Sequence, residues 1–444
     1  MMRPALSGGR AGWAVRVRRD GPTVTAALCG CLLLLAACGP GTDTPAAGHT
    51  PARVADAPAK LPVPHGTGSK VADDFNGDGH RDLVLDDLVK AHSHADDAGI
   101  GIVYGGARGL APGARQLLAP AAYAARTGGR LPAVFDAEAS CDLDRDGFTD
   151  LVVSTDPPYD GRGRPPVPLQ ILFGSPAGLT RAVHLTVPAR ARAGTDWPDQ
   201  PVCGDFDGDG AHDLVLHASG GRLTYLRGPF GRNGTPRASA APLSSTGEAP
   251  TGPAADVNRD GYDDLVVRTT EDSGASTIVL GGPDGPTRTG TALPEGLDVA
   301  LGRFGRGRAL DAAVGTTAET SLRYDLPASA RATLPVSGPR LATADLDGDG
   351  LDELIAGGRG LKVFHGRESG LSASDTVTVK APVPGTTRVL TAADFDGDGR
   401  ADLVVRTYRG ETKDTVEVLP GAGKGLVAQR PAVRFSTAEF LADR

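Results

Sequence analysis

The chain has 444 residues, 62 of them Gly and 35 Pro, with 5% aromatic residues and a formal net charge of −8. The turn-formers lie between apolar segments and make no low-complexity tract, which excludes a disordered or fibrous chain. The acidic balance excludes a surface built to hold nucleic acid.

Residues 1–37 read as an export signal. Arg16, Arg18 and Arg19 precede an apolar run ending LLLLAAC, which is too short to span a bilayer. Leu35-Ala36-Ala37-Cys38 resembles a bacterial lipobox, implying cleavage before Cys38 and a diacylglycerol on its thiol; a transmembrane anchor or an ordinary secreted leader is the alternative. Residues 38–62 are small, Pro-rich and aperiodic, the composition of a flexible tether. The expectation is an exported protein on the outer face of the cytoplasmic membrane, held there by lipid alone. Loss of residues 1–37 removes five Arg and one Asp and takes the net charge to −12.

From residue 63 to 444 one pattern dominates. Six stretches read Asp-x-(Asp/Asn)-x-Asp-Gly-x-x-(Asp/Glu) and run into an apolar segment: DFNGDGHRDLVL from Asp74, DLDRDGFTDLVV from Asp142, DFDGDGAHDLVL from Asp205, DVNRDGYDDLVV from Asp256, DLDGDGLDELIA from Asp345 and DFDGDGRADLVV from Asp394. Calcium takes six to eight oxygen ligands, which side chains at positions 1, 3, 5 and 9 and the carbonyl of position 7 can supply. The first loop would use Asp74, Asn76, Asp78 and Asp82 with the carbonyl of His80. The second would use Asp142, Asp144, Asp146 and Asp150 with Phe148, and the third Asp205, Asp207, Asp209 and Asp213 with Ala211. The fourth would use Asp256, Asn258, Asp260 and Asp264 with Tyr262. The last two would use Asp345, Asp347, Asp349 and Glu353 with Leu351, and Asp394, Asp396, Asp398 and Asp402 with Arg400.

Glycine at position 6 suits a backbone with φ > 0. Position 12 holds Leu85, Val153, Leu216, Val267, Ala356 and Val405, so the EF-hand scheme, which needs Glu there and helices on both sides, fails. One isolated copy would be read as an Asp/Gly turn. Six that keep the same positions argue for up to six Ca2+ ions, whose charge would bring the processed chain close to neutrality. A seventh copy, LGRFGRGRALDAAVG around Phe304, lacks the early carboxylates and is expected to hold no calcium. Its Arg303, Arg306 and Arg308 either supply positive charge in place of an ion or are solvated on a degenerate turn.

The branched apolar residues after each loop favour strands, so each loop is expected to join two antiparallel strands. Loop-to-loop intervals are 68, 63, 51, 47, 42 and 49 residues, counting Arg303 as the start of the eroded copy. A second marker follows each loop, an apolar strand closed by glycine: GIVYGGARGL, LQILFGSPAGL, GRLTYLRGPFG, STIVLGGPDGP, GLKVFHGRESGL and TVEVLPGAGKGL, with TSLRYDLP after the eroded copy. Repeats of about 40–50 residues with several short strands predict an all-β, seven-bladed propeller.

These units resemble the FG-GAP (VCBS-type) repeats of the integrin α-subunit propeller over about residues 65 to 437, and also a fungal seven-bladed lectin with similar loops. The DxDxDGxxD loops carry the resemblance; clear Phe-Gly and Gly-Ala-Pro signatures are missing. It implies structural calcium in the hairpin between the first and second strands of six blades.

Cys29 and Cys31 leave with the leader, so Cys141 and Cys203 remain as a disulfide pair if their Cα atoms come within about 7 Å, although they are offset by one residue against their loops. His92 and His94 beside Asp96 and Asp97 form a second conceivable metal site or an ordinary solvated loop. The longest loops expected on the face away from the carboxylates are 86–99, 119–133, 155–168 and 187–201. Long loops on a rigid scaffold carry binding residues, which makes Tyr123, Tyr159 and Trp197 candidate ligand contacts; tolerated insertion without a ligand is the alternative.

No nucleophile elbow, HExxH or phosphate loop is present, and the loop carboxylates would be engaged as ligands. The expectation is therefore a monomeric, non-enzymatic binding or adhesion module for a protein or cell-wall glycan. The alternatives are a carbohydrate-binding lectin-like propeller and a hydrolase- or lyase-associated one.

Overall fold

The structure, a computed structural model, describes residues 60–443 apart from 96–98, 196, 271–272, 306, 327–329, 359 and 382. The export signal, Cys38, most of the tether, Asp96, Asp97 and Arg306 lie outside the described residues. No helix among the described residues is long and apolar enough to cross a membrane.

Among the described residues seven antiparallel sheets of three or more strands follow one another along the chain, one per repeat, with a two-stranded hairpin, Gly421–Ala422 and Leu426–Val427, beside the last. Blade 4 shows the plan: Ala249–Ala255, Asp264–Arg268, Ser276–Leu280 and Arg288–Leu293 pair in that order, with the Asp256 loop between the first two strands. Every segment expected as a third strand forms a strand, in third place in blades 2 to 7 and in second place, as Ile100–Val103, in the three-stranded blade 1. The second and third strands are the most buried, because each sheet packs between two neighbours; Asp150–Thr155 and Asp414–Leu419 are buried at every position.

Blade 1 departs from the plan. Among the described residues it has three strands, Leu83–Leu85, Ile100–Val103 and Arg115–Leu118, and none precedes its loop. The residues there, HGTGSKVAD, are polar and Gly-rich, with no apolar alternation to bury in a sheet. Their backbone groups turn elsewhere: Gly66 and Gly68 donate to the carbonyls of Asn76 and Gly77, and Ser69 donates to that of Gly147. Residues 64–69 thus form a strap across the first two loops.

The ring closes without strand exchange, since each blade is built from one continuous stretch of chain. Its seam is a buried network. Arg406, 1% exposed, donates Nε to Asp414 at 2.7 Å and its two Nη atoms to the carbonyls of Asp86 and Asp87, each at 2.7 Å. The C-terminal turn Thr437–Asp443 completes it, with Thr437 Oγ1 on Asp414 and Phe440 in the apolar core shared by blades 1 and 7.

Cys141 and Cys203, on the first strands of blades 2 and 3, form a disulfide with Cα atoms 6.5 Å apart. The one-residue offset between them is absorbed within the range a bridge can span.

Candidate functional site

All six loops share one hydrogen-bond scheme. The position-1 carboxylate accepts the N–H of the position-6 glycine, as Asp142 does from Gly147 at 2.9 Å and Asp256 from Gly261 at 2.9 Å. The position-5 carboxylate accepts the N–H of position 7, at 3.0 Å from His80 and 2.8 Å from Arg400. Glycine is needed at position 6 because φ there lies near +86° in Gly147, a left-handed conformation that side chains resist. The turn draws several carboxylates together: Asp142, Asp144 and Asp146, and likewise Asp345, Asp347 and Asp349, bring ligand atoms within 4.8 Å of one another. Such sets could hold a metal ion.

Position 9 has a second task. Asp150 accepts the N–H of Leu143 on one oxygen and that of Gly174 on the other, each at 2.9 Å. The same pair of bonds recurs for Asp82, Asp264, Glu353 and Asp402. Gly174 closes the third strand, so this carboxylate ties the loop to the strand end and links the two sequence markers. A Cβ at Gly174 would collide with the carbonyl of Thr149. Burial pushes these carboxyls up, Asp150 and Glu353 to about 8 and Asp213 and Asp264 to about 7.

The loops also join blades. Position-2 residues Phe75, Leu143, Phe206, Val257, Phe304, Leu346 and Phe395 are all buried. The carbonyls of Phe75, Leu143, Phe206, Val257 and Phe304 accept N–H groups from the next blade, as Phe75 does from Ser175 at 3.2 Å and Phe206 from Gly282 at 3.0 Å. The eroded copy keeps both devices. Phe304 is buried there, and Asp311 accepts from Phe304 and Asp325.

Basic side chains reach five of the loops; four come from strands and turns outside the loop pattern, so the sequence did not reveal them, and the fifth is Arg400 of the Asp394 loop itself. Arg232 contacts Asp144 and Asp146, Arg237 contacts Asp209, Arg288 Nη2 lies 2.7 Å from Asp260 and His365 Nε2 lies 2.7 Å from Asp347. Arg400 approaches Asp398 at 3.6 Å. Despite Arg232, Asp144 Oδ1 is buried with no hydrogen-bond partner, and burial together with the Asp146 charge raises the Asp144 carboxyl to about 6.

On the opposite face, Tyr159 of the 155–168 loop and Trp197 of the 187–201 loop meet edge to face, ring centroids 5.6 Å apart. Tyr159 donates its hydroxyl to the carbonyl of Gly163, and Arg192 ties the loops by donating to the carbonyl of Pro165 at 2.7 Å. Tyr123 does not join this pair. It is half-buried on the short helix Pro120–Tyr123, packs on the core of blades 1 and 2 and bonds Gln116 through its hydroxyl. The His92–His94 turn instead meets blade 7, with the backbone N–H of His94 donating to Glu411 at 2.9 Å.

Residues 205–267 and 344–405 match the family described as FG-GAP-like repeat. The chain is a propeller that carries FG-GAP-like repeats in these two places. The two matches begin at or one residue before the position-1 Asp of blades 3 and 6 and run into the second strands of blades 4 and 7. Blade number and repeat placement fit the FG-GAP propeller of the integrin α-subunit N-terminus. A crystal structure of BBS1N in complex with ARL6DN, soaked with lead, is similar at 14% identity and a TM-score of 0.44, over 82% of this chain and 95% of that one. No curated protein matches the sequence. An FG-GAP propeller fits a binding-type module.

Proposed function

We propose that this FG-GAP-like propeller is an exported, lipid-anchored binding module that recognises a protein or cell-wall ligand through the face around Tyr159 and Trp197. Calcium in its six intact loops would serve structure and not chemistry. The observation that carries the recognition reading is the edge-to-face contact of Tyr159 and Trp197, contributed by two of the longest loops and set on a rigid ring. The opposite face is taken up by the loops and their blade-to-blade bonds.

The calcium reading rests on the donor set. Hard carboxylate oxygens converge in the Asp142, Asp205 and Asp345 loops, the other intact loops repeat the same residue pattern, and Asp144 Oδ1 is buried without a partner, as a ligand atom would be. Bound Ca2+ would supply positive charge that lets these crowded carboxylates stay ionised.

Tyr159→Ala with Trp197→Ala tests the recognition face. Cross-linking capture from cell-surface extract and a glycan array, both run with the full processed chain, should give a partner that the double variant loses while its melting temperature is kept. A partner bound equally by the variant would sink the assignment of this face, and glycan-array binding would favour the lectin reading over a protein partner.

A further inference from the structure

The Asp74 loop differs from the other five in two independent ways. Among the described residues no Lys, Arg or His side chain contacts its carboxylates: Asp74 is held by Ser69 Oγ at 2.6 Å and by loop N–H groups, and Asp78 by Asn76 and the His80 N–H. It is also roofed. The Gly66–Ser69 strap lies directly on it, so that a Cβ at Gly66 would overlap the Gly77 carbonyl, and Asn76 Nδ2 donates to the carbonyl of Pro64 at 3.0 Å. Asp74 and Asn76 are consequently 1% and 0% exposed, and Asp78 is half-buried where every other position-5 residue is exposed.

We propose that the Asp74 loop is an enclosed, slowly exchanging calcium site, and that the five loops approached by a basic side chain exchange calcium readily. The inference rests on the calcium reading above. Buried carboxylates without a cationic side chain need an ion more than exposed ones that already face a guanidinium. A positive charge beside a cation site also repels the incoming ion, so Arg232, Arg237 and Arg288 weaken their loops for calcium while bracing them in its absence. An ion under the strap must wait for residues 64–69 to lift before it leaves.

The test uses the full processed chain loaded with Ca2+ alone and mixed with excess fluorescent chelator in a stopped-flow instrument. One ion per chain should leave at least about tenfold more slowly than the rest. Asp78→Asn should remove that phase, and Ser69→Ala, which leaves the carboxylates untouched, should accelerate it. Arg288→Gln should move one ion from the fast phase toward slower release. A single fast phase for all ions, or a slow phase unchanged in both Asp78→Asn and Ser69→Ala, overturns the proposal while leaving calcium binding intact. Absence of any bound calcium at saturating concentration overturns the underlying reading as well.

Discussion

Asp311 accepts the backbone N–H of Asp325 at 2.7 Å, in the one blade whose loop has lost the carboxylates at positions 1, 3 and 5. Its other oxygen accepts from Phe304, also at 2.7 Å. A blade with no set of early carboxylates still keeps its position-9 acid, so that residue staples loop to strand whether or not a cation is present. Positions 1 and 5 also accept loop N–H groups, so it is the clustering of acids at positions 1, 3 and 5 together that an ion would explain.

The staple can be separated from the ion by mutation. Asp311→Ala strands the buried N–H of Phe304 and the half-buried one of Asp325 and is expected to lower stability by about 2–4 kcal/mol, equally with and without calcium. Asp349→Ala should destabilise chiefly when calcium is present. Urea denaturation of both variants, each with Ca2+ and with chelator, measures the contrast.

The seam is the second weak point. Arg406→Ala leaves Asp414 buried without its cation and is expected to cost about 3–5 kcal/mol, more than an exposed arginine such as Arg288 would. Because Arg406 also holds the Asp86 and Asp87 carbonyls, hydrogen exchange in that variant should rise first in blades 1 and 7.

Acidity should stabilise the metal-free chain. Burial holds Asp150 and Glu353 near about 8 and Asp402 near about 6, whereas unfolded carboxyls titrate near about 4. Between those limits the folded chain binds more protons than the unfolded one, so its stability falls as pH rises from about 4 to about 8. Melting in chelator should therefore occur at higher temperature at pH 6 than at pH 8. Saturating Ca2+, which favours the ionised carboxylates, should flatten or reverse that slope.

Blade number and the third strands were legible because two markers, the Asp/Gly loop and the glycine-closed strand, recur in fixed order. The bond between them was not. Asp150 and Gly174 are 24 residues apart, and nothing in either motif states that the acid accepts the glycine's N–H. The loop carboxylates were legible by spacing, but Arg232, Arg237 and His365 reach the loops from strand ends and turns with no fixed offset. The strap was missed for a related reason: HGTGSKVAD has no periodicity, so only its contacts with Asn76, Gly77 and Gly147 reveal its place. Tyr159 and Trp197 could be named from loop length, whereas Tyr123, on a loop of similar length, packs inward on a core that sequence did not delimit.

The claim that these loops are cation clamps meets its most direct test in the thermal melt of the processed chain with saturating Ca2+ and with excess chelator. Each site filled at a hundredfold its Kd adds about 2.7 kcal/mol, so removal from several loops should lower Tm by at least about 10 °C. An unchanged melting temperature would contradict it.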